Sequence, residues 1–311
     1  MDVNFKFSLC AIAFTSLLAG CATSGNNSAQ NSVAKVVIAE PLGVSQQSEV
    51  AIARLSEILA RVEVSNEQKA KLFYDRGVIY DSVGLRGLAS YDFQRAIRLQ
   101  PDLVDAYNFI GIHYTQRQDF IQAYEAFDTA IELEDEHQYA YLNRGIALYY
   151  GGRPELALAD MQRFQEQQQH DPYRIAWLYL IEQKLSPEGA TTNLRKQFEA
   201  LPHNSWANNI LRLFLNDMSE NDFVASLTVG VKSHKELIDR LCEGYFYLGK
   251  YHALQGNAAT STDYFKLALS TNVYEFIEHR YAKLELDLLQ ANIGPKIETP
   301  QPAMPKESDQ L

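Results

Sequence analysis

Small, apolar and aromatic residues return along this chain at an interval of 34 residues. The segments Arg76-Gly77-Val78-Ile79-Tyr80, Ile110-Gly111-Ile112-His113-Tyr114 and Arg144-Gly145-Ile146-Ala147-Leu148 align on their glycines. Twelve residues after each glycine stands an alanine (Ala89, Ala123, Ala157), and sixteen after it a large apolar residue (Phe93, Phe127, Met161). An aromatic precedes each glycine by four (Phe73, Tyr107, Tyr141), and Pro101 closes the first unit. Tyr245, Leu248-Gly249, Phe265 and Ala268 repeat the offsets further on. Gly145 and Gly249 lie three periods and two residues apart, which leaves room for two degenerate helical hairpins. Helix starts are expected there at Pro172, at Ser186-Pro187 and near Ser205 and Ser219. Before the repeats, residues 49–63 place Leu55, Ile58, Leu59 and Val62 on one face, the spacing of an amphipathic helix. Ser65-Asn66-Glu67-Gln68 has the form of a capping box that starts the first unit. Residues 276–289 predict a closing helix, and no stretch alternates with period two for long enough to make a strand. The pattern is that of an all-α chain.

The 34-residue unit resembles the tetratricopeptide repeat, and packing explains its residue types. Glycine and alanine at facing positions let two antiparallel helices approach closely. The large residue sixteen positions after the glycine then plugs the space between that pair and the next helix. The resemblance implies helical hairpins in an array: three regular repeats, a degenerate middle and one further repeat. An N-terminal amphipathic helix and a C-terminal closing helix flank it. The second unit carries Asp135 in place of the closing proline, and the third has Phe164 where a small residue is usual.

The start of the chain reads as an address. Lys6 precedes an apolar run over 7–19, which at 13 residues is too short to span a bilayer. The run ends in Leu18-Ala19-Gly20-Cys21, which resembles the bacterial lipobox. Two small residues let the chain lie in a peptidase cleft, and the thiol of Cys21 takes the lipid before cleavage makes it the first residue. Ala22 rather than aspartate follows Cys21. By resemblance to Gram-negative lipoproteins, this implies an outer-membrane anchor with the body facing the periplasm. The Ser-, Asn- and Gln-rich stretch after Cys21 buries nothing and is expected to be a tether averaging roughly 25–30 Å, and about 90 Å at full stretch. Four prolines (Pro295, Pro300, Pro302, Pro305) mark a disordered tail. The expected organisation is a signal peptide over 1–20, lipidated Cys21 with its tether over 21–47, a helical body over 48–291 and the tail over 292–311.

Composition removes several functions. A net charge of −11 without a Lys/Arg cluster argues against nucleic-acid binding, which needs cations to displace counterions. Three cysteines exclude a disulfide framework and a four-thiolate metal site. Cys10 leaves with the signal and Cys21 is acylated, so Cys242 remains as a core thiol. None of the seven histidines stands three or four residues from another, so no helix face offers a metal pair. The acidic run Glu132, Glu134, Asp135, Glu136 lacks the glycine and distal glutamate of a calcium loop. No nucleophile elbow or phosphate loop occurs. The chain is read as no enzyme, with no cofactor and no metal.

A repeat scaffold offers surface instead. In proteins of this kind the first helix of each pair lines a groove that receives a partner peptide or helix. The groove positions here are Tyr74, Asp75 and Asp81 in the first unit, Asn108, Ile112 and Thr115 in the second, and Tyr139, Asn143, Tyr149 and Tyr150 in the third. Val78, Asp105, Leu142 and Ile146 fall on the same face. Tyrosine gives contact area with few rotors, and asparagine can hydrogen-bond an extended backbone. Tyr74 and Val78 stand where a carboxylate clamp would need cations, so such a clamp is not expected.

The order of features also resembles the NlpI family of outer-membrane lipoproteins. The segments that carry the resemblance are Tyr74-Asp75-Arg76-Gly77-Val78-Ile79-Tyr80-Asp81-Ser82-Val83-Gly84-Leu85-Arg86, then Ala123-Tyr124-Glu125-Ala126-Phe127-Asp128. Leu142-Asn143-Arg144-Gly145-Ile146-Ala147-Leu148-Tyr149-Tyr150-Gly151-Gly152-Arg153 is the next. Phe246-Tyr247-Leu248-Gly249-Lys250-Tyr251 and Glu278-His279-Arg280-Tyr281-Ala282 follow. The resemblance covers about 49–290 and is loose over 186–235. It implies a homodimeric, non-catalytic adaptor that brings a murein endopeptidase to a periplasmic tail-specific carboxyl-terminal protease and gathers other peptidoglycan hydrolases. It also implies dimerisation through N-terminal helices, here the stripe Leu55, Ile58, Leu59, Val62. A second reading is a repeat lipoprotein accessory to outer-membrane or pilus assembly. Pilus-type proteins usually carry an uninterrupted array, however, and this one breaks after the third copy.

Overall fold

In the computed structural model, which describes residues 36–202 and 205–293, helices begin where the capping signals place them. The expected signal peptide, Cys21, the expected tether before Val36 and the expected tail from 294 onward lie outside the described residues. Ser45 caps α1 (Gln46–Arg61), its Oγ accepting from the Ser48 amide at 3.0 Å. Ahead of α2 (Asn66–Ser82) the expected box is complete. Ser65 Oγ accepts from the Gln68 amide at 3.2 Å, and Gln68 Oε1 accepts from the Ser65 amide at 3.0 Å. Each group satisfies a helix-end donor that would otherwise go unpaired.

The regular repeats are the hairpins α2–α3 (Arg86–Leu99), α4 (Val104–Gln116)–α5 (Phe120–Leu133) and α6 (Gln138–Tyr150)–α7 (Pro154–Glu166). The fourth copy is α12 (His234–Leu254)–α13 (Ala258–Leu269). In three of the four the glycine is pressed by the large residue sixteen positions on. A Cβ on Gly77 would stand 2.8 Å from Phe93, on Gly111 2.5 Å from Phe127, and on Gly249 2.5 Å from Phe265. Below Met161 the fit is looser, 3.6 Å from a Cβ on Gly145. The turn inside each hairpin repeats as well. Gly84, Gly152 and Gly256 take positive φ (79°, 73° and 77°), and at the equivalent place in the second unit Gln118 is held at φ 64°. A side chain there strains against its own carbonyl, so glycine is the natural occupant.

Units one and three also share a buried ion pair. Arg76 donates to both Asp92 oxygens at 2.7 and 2.8 Å, and Arg144 to both Asp160 oxygens at 2.7 Å. The second unit has Ile110 and Ala126 at these two positions, and both are buried in an apolar cluster. A bidentate pair and an apolar pair are alternative ways to fill the same space.

The gap between copies three and four holds α8 (Pro172–Leu185), α9 (Pro187–Glu199), α10 (Asn208–Phe214) and α11 (Glu220–Ser226). Pro172 and Pro187 stand in the first turns as expected, with Asp171 and Ser186 as caps, and Ser219 caps α11. Residues 174–181 of α8 are all buried, the mark of a helix surrounded on every side. α8 belongs to the largest core cluster, which runs from Leu142 to Leu286.

Two segments close the array on itself. α14 (Ile277–Ile293) packs on α12 and α13 and reaches back to α4. The stretch expected to be a free tether is docked from 36 to 42, which corrects the statement that it buries nothing. Val37, Ala39 and Leu42 pack against the large core, Tyr245 donates to the Val37 carbonyl, and His234 Nε2 donates to the Glu40 carbonyl at 2.8 Å. Its valine, alanine and leucine supply the apolar area that the polar part upstream lacks.

The candidate partner-binding cleft

The closing helix decides how much of the first-helix face is free. Along α14, Arg280 pairs with Asp81 at the end of α2, and the Arg280 carbonyl accepts from Gln116 Nε2 of α4 at 3.5 Å. Tyr150 of α6 donates to Glu285 Oε1 at 2.8 Å, and Lys250 of α12 pairs with Glu285 while donating to Tyr149 Oη at 2.9 Å. α14 therefore covers the C-terminal ends of α2, α4 and α6.

This revises the expected groove. Asp81 is 4% exposed and bound by both Arg280 and His113, whose Nε2 lies 2.8 Å from Oδ1. Tyr149 is buried and Tyr150 half-buried, both committed to the α14 contact. Thr115 is fully buried and spends its hydroxyl on the Gly111 carbonyl at 2.9 Å, a bond within its own helix. These four positions are lost to a partner while α14 is docked. Asp75 faces elsewhere, into a shallow hollow against Val50, Ala51, Arg54 and Leu55 of α1. Tyr74 is half-buried, its ring tilted against Phe93 and edge-on to Phe109 at 6.0 and 6.4 Å.

The remaining four come together. Asn108, Ile112, Tyr139 and Asn143 line one cleft of about 360 Å³ with Asp105, Phe109, His137 and Leu142, and Glu275, Ile277 and Arg280 form its opposite wall. Asn143 Nδ2 donates to Asn108 Oδ1 at 3.0 Å. That bond uses one polar atom of each amide and leaves Asn108 Nδ2 and Asn143 Oδ1 to serve a ligand, one donor and one acceptor. Tyr139 is 54% exposed and forms the rim, packed on Phe164 at 6.3 Å. Ile112 supplies an apolar floor continuous with Phe127.

Electrostatics orders the mouth of this cleft. His137 Nε2 lies 3.0 Å from Asp105 Oδ1. Their hydrogen bond holds Asp105 below the usual carboxylate range and raises His137. Burial, with the nearby Asp105 and Asp75 charges, pushes the Tyr74 phenol up to about 12, so it stays a neutral donor. At the covered end burial alone would raise Asp81, but the His113 bond and the Arg280 charge outweigh it and hold it low. An acid held low in the folded state contributes stability above its unfolded value of about 4 and loses it as pH falls below that.

His137, Phe109 and the wall from α14 were not read from the sequence as part of the site. Arg280 stood within a resembling segment, but its place at the cleft depends on how α14 folds back. The stripe Leu55, Ile58, Leu59 is half-buried on α2 and Val62 is 48% exposed, and α1 has no buried residue.

Among the described residues no three His, Cys, Asp or Glu side chains converge as a metal set. Cys242 is fully buried, and burial pushes its thiol well above the ordinary range, so it is a core residue.

The fold is an array of helical hairpins of tetratricopeptide-repeat type, with one cleft left open on it. No family model matches the chain. Among solved structures it is similar to a tetratricopeptide repeat protein from Parabacteroides merdae, with 17% identity over 79% of this chain and 100% of that one, TM-score 0.47. It is also similar to the C-terminal part of a repeat protein from Cytophaga hutchinsonii, with 16% identity over 72% and 90%, TM-score 0.46. A third is pilF of Pseudomonas aeruginosa, with 17% identity over 73% and 99%, TM-score 0.42.

Proposed function

We propose that the chain is a non-catalytic adaptor, lipid-anchored to the outer membrane through Cys21, that brings a murein endopeptidase to a tail-specific carboxyl-terminal protease in the periplasm. The observation that carries the binding half of this reading is the cleft between α4, α6 and α14. It presents a donor and an acceptor from Asn108 and Asn143 beside an apolar floor and an exposed tyrosine. Such a site suits a segment of extended backbone, which offers alternating carbonyls and amides. The clients come from the resemblance to NlpI-type lipoproteins, as does homodimerisation through the half-buried stripe of α1.

An adaptor of this kind works by concentration. Holding two partners on one body makes their encounter intramolecular, which raises the rate without any catalytic group. The anchor adds a distance limit. With 36–42 docked on α12, the link from Cys21 to the body is 22–35, which reaches about 50 Å at full extension.

The test is a reconstitution with purified endopeptidase, protease and this chain. The adaptor reading expects the endopeptidase to disappear at least tenfold faster when the chain is present, and more slowly again with the Asn108→Ala/Asn143→Ala pair. Equal rates with and without the chain would remove it. Recovery of only pilus or outer-membrane assembly proteins by the lipidated chain from envelopes would favour the accessory reading.

A further inference from the structure

The helix that covers part of the groove is held by contacts of opposite sign. Through Glu285 the middle of α14 is tied by an ion pair to α12, and through Arg280 its first turn is tied to α2. That same first turn also carries a buried acid. There Glu278, 7% exposed, lies in the neighbourhood of Glu243 of α12, each carboxyl held by a tyrosine hydroxyl. Tyr247 donates to Glu278 Oε1 at 3.1 Å, and Tyr173 of α8 donates to Glu243 Oε2 at 2.8 Å. The two tyrosine rings lie 6.4 Å apart.

The charged groups around the pair do not neutralise it. Asp239 adds a third acid, and Lys235 binds Asp239 at 2.6 Å. Arg240 donates to Glu236 at 2.8 Å and to the Val229 carbonyl at 2.6 Å, its guanidinium lying over Trp206. Neutral phenols can bond to either form of a carboxyl, but they cannot cancel repulsion between two ionised ones. Burial, with the Glu278 charge behind it, pushes the Glu243 carboxyl up to about 8, and burial raises Glu278 as well. Glu243 also lines a cleft of about 530 Å³ beside Tyr173, Trp206 and Phe276, which gives its proton a path to water.

We propose that the buried acids Glu243 and Glu278, bridged by the Tyr173 and Tyr247 rings, form a pH-operated latch on the groove. The first turn of α14 stays docked on α12 while the pair holds a proton. It lifts when both carboxyls ionise, breaking the Arg280–Asp81 pair in the same turn and withdrawing Glu275, Ile277 and Arg280 from the wall of the cleft. The sign follows from the docked state binding the extra proton. Its stability is complete below the ordinary glutamate value of 4.5 and falls as pH rises from there through about 8. The latch regulates the site named in the adaptor reading and rests on that reading for its purpose, but its test needs no partner.

Hydrogen exchange of the full chain, corrected for the intrinsic rate at each pH, reads the latch directly. Between pH 6 and pH 9, protection of amides 281–285 should fall at least tenfold relative to those of α13. Glu243→Gln and Glu278→Gln each remove one charge while keeping an oxygen for the tyrosine donor, and both should abolish the slope. A flat wild-type profile, or a slope kept by either variant, would overturn the latch and leave the adaptor reading untouched. Failure of the reconstituted degradation would do the reverse.

Discussion

The three regular repeats and the middle segment α8–α11 solve one packing problem by different means. In the repeats each hairpin closes on itself. A glycine on the first helix accepts the ring or thioether sixteen residues later, and the same arrangement recurs one period on. In the middle no such spacing exists. α8 is buried through a continuous run, with Trp177 set against Tyr149, Phe246 and Tyr281 from three other helices at 6.0–6.2 Å. Local spacing is enough to specify the first arrangement. The second takes shape only when distant parts of the chain meet, and so carries no period.

The contrast can be broken at its strongest point first. Phe127→Ala should cost about 3–5 kcal/mol, because the plug is fully buried against Gly111 and the cavity left behind cannot collapse onto a rigid helix pair. Urea denaturation measures it, and a loss below about 1 kcal/mol would mean the ring is not the plug it resembles. Among contacts made only when distant parts of the chain meet, Lys250→Met strands the buried Glu285 carboxylate and should cost about 3–5 kcal/mol, while Lys250→Met/Glu285→Leu should recover most of it. Absence of recovery would make this long-range pair a net stabiliser.

Two glycines of the repeats should behave oppositely. Gly111→Ala places a methyl against Phe127 and should lose about 1–3 kcal/mol, whereas Gly87→Ala, exposed on α3 with open space around it, should gain about 0.4–1 kcal/mol. Equal effects in thermal melts would refute the close approach. The smallest effect is at the turn of the second hairpin. Gln118→Gly releases a strained positive φ and should stabilise by about 0.5–1 kcal/mol, but Gly152→Ala, the same place one unit later, should destabilise by a similar amount.

The site divides along the same line. Asn108, Ile112, Tyr139 and Asn143 were legible as one face because they sit on first helices at repeat spacing. Asp81, Tyr149 and Tyr150 were read onto that face for the same reason, yet α14 takes them. Their partners Arg280, Glu285 and Lys250 lie far along the chain, and no periodicity links them to the repeats. The docked segment 36–42 was missed for a related reason. Its few apolar residues form no pattern of their own and find partners only on α12.

By itself the sequence determined the hairpin array, its close approaches and its caps. Those depend on residues within one period of each other, where spacing alone decides which side chains meet. Only the tertiary structure decided that the array closes on itself, with α14 over one end of the groove and a cleft left open at the other. Such outcomes depend on which apolar surfaces remain uncovered once the repeats are stacked. They come from burial summed over the whole body, which no local pattern contains.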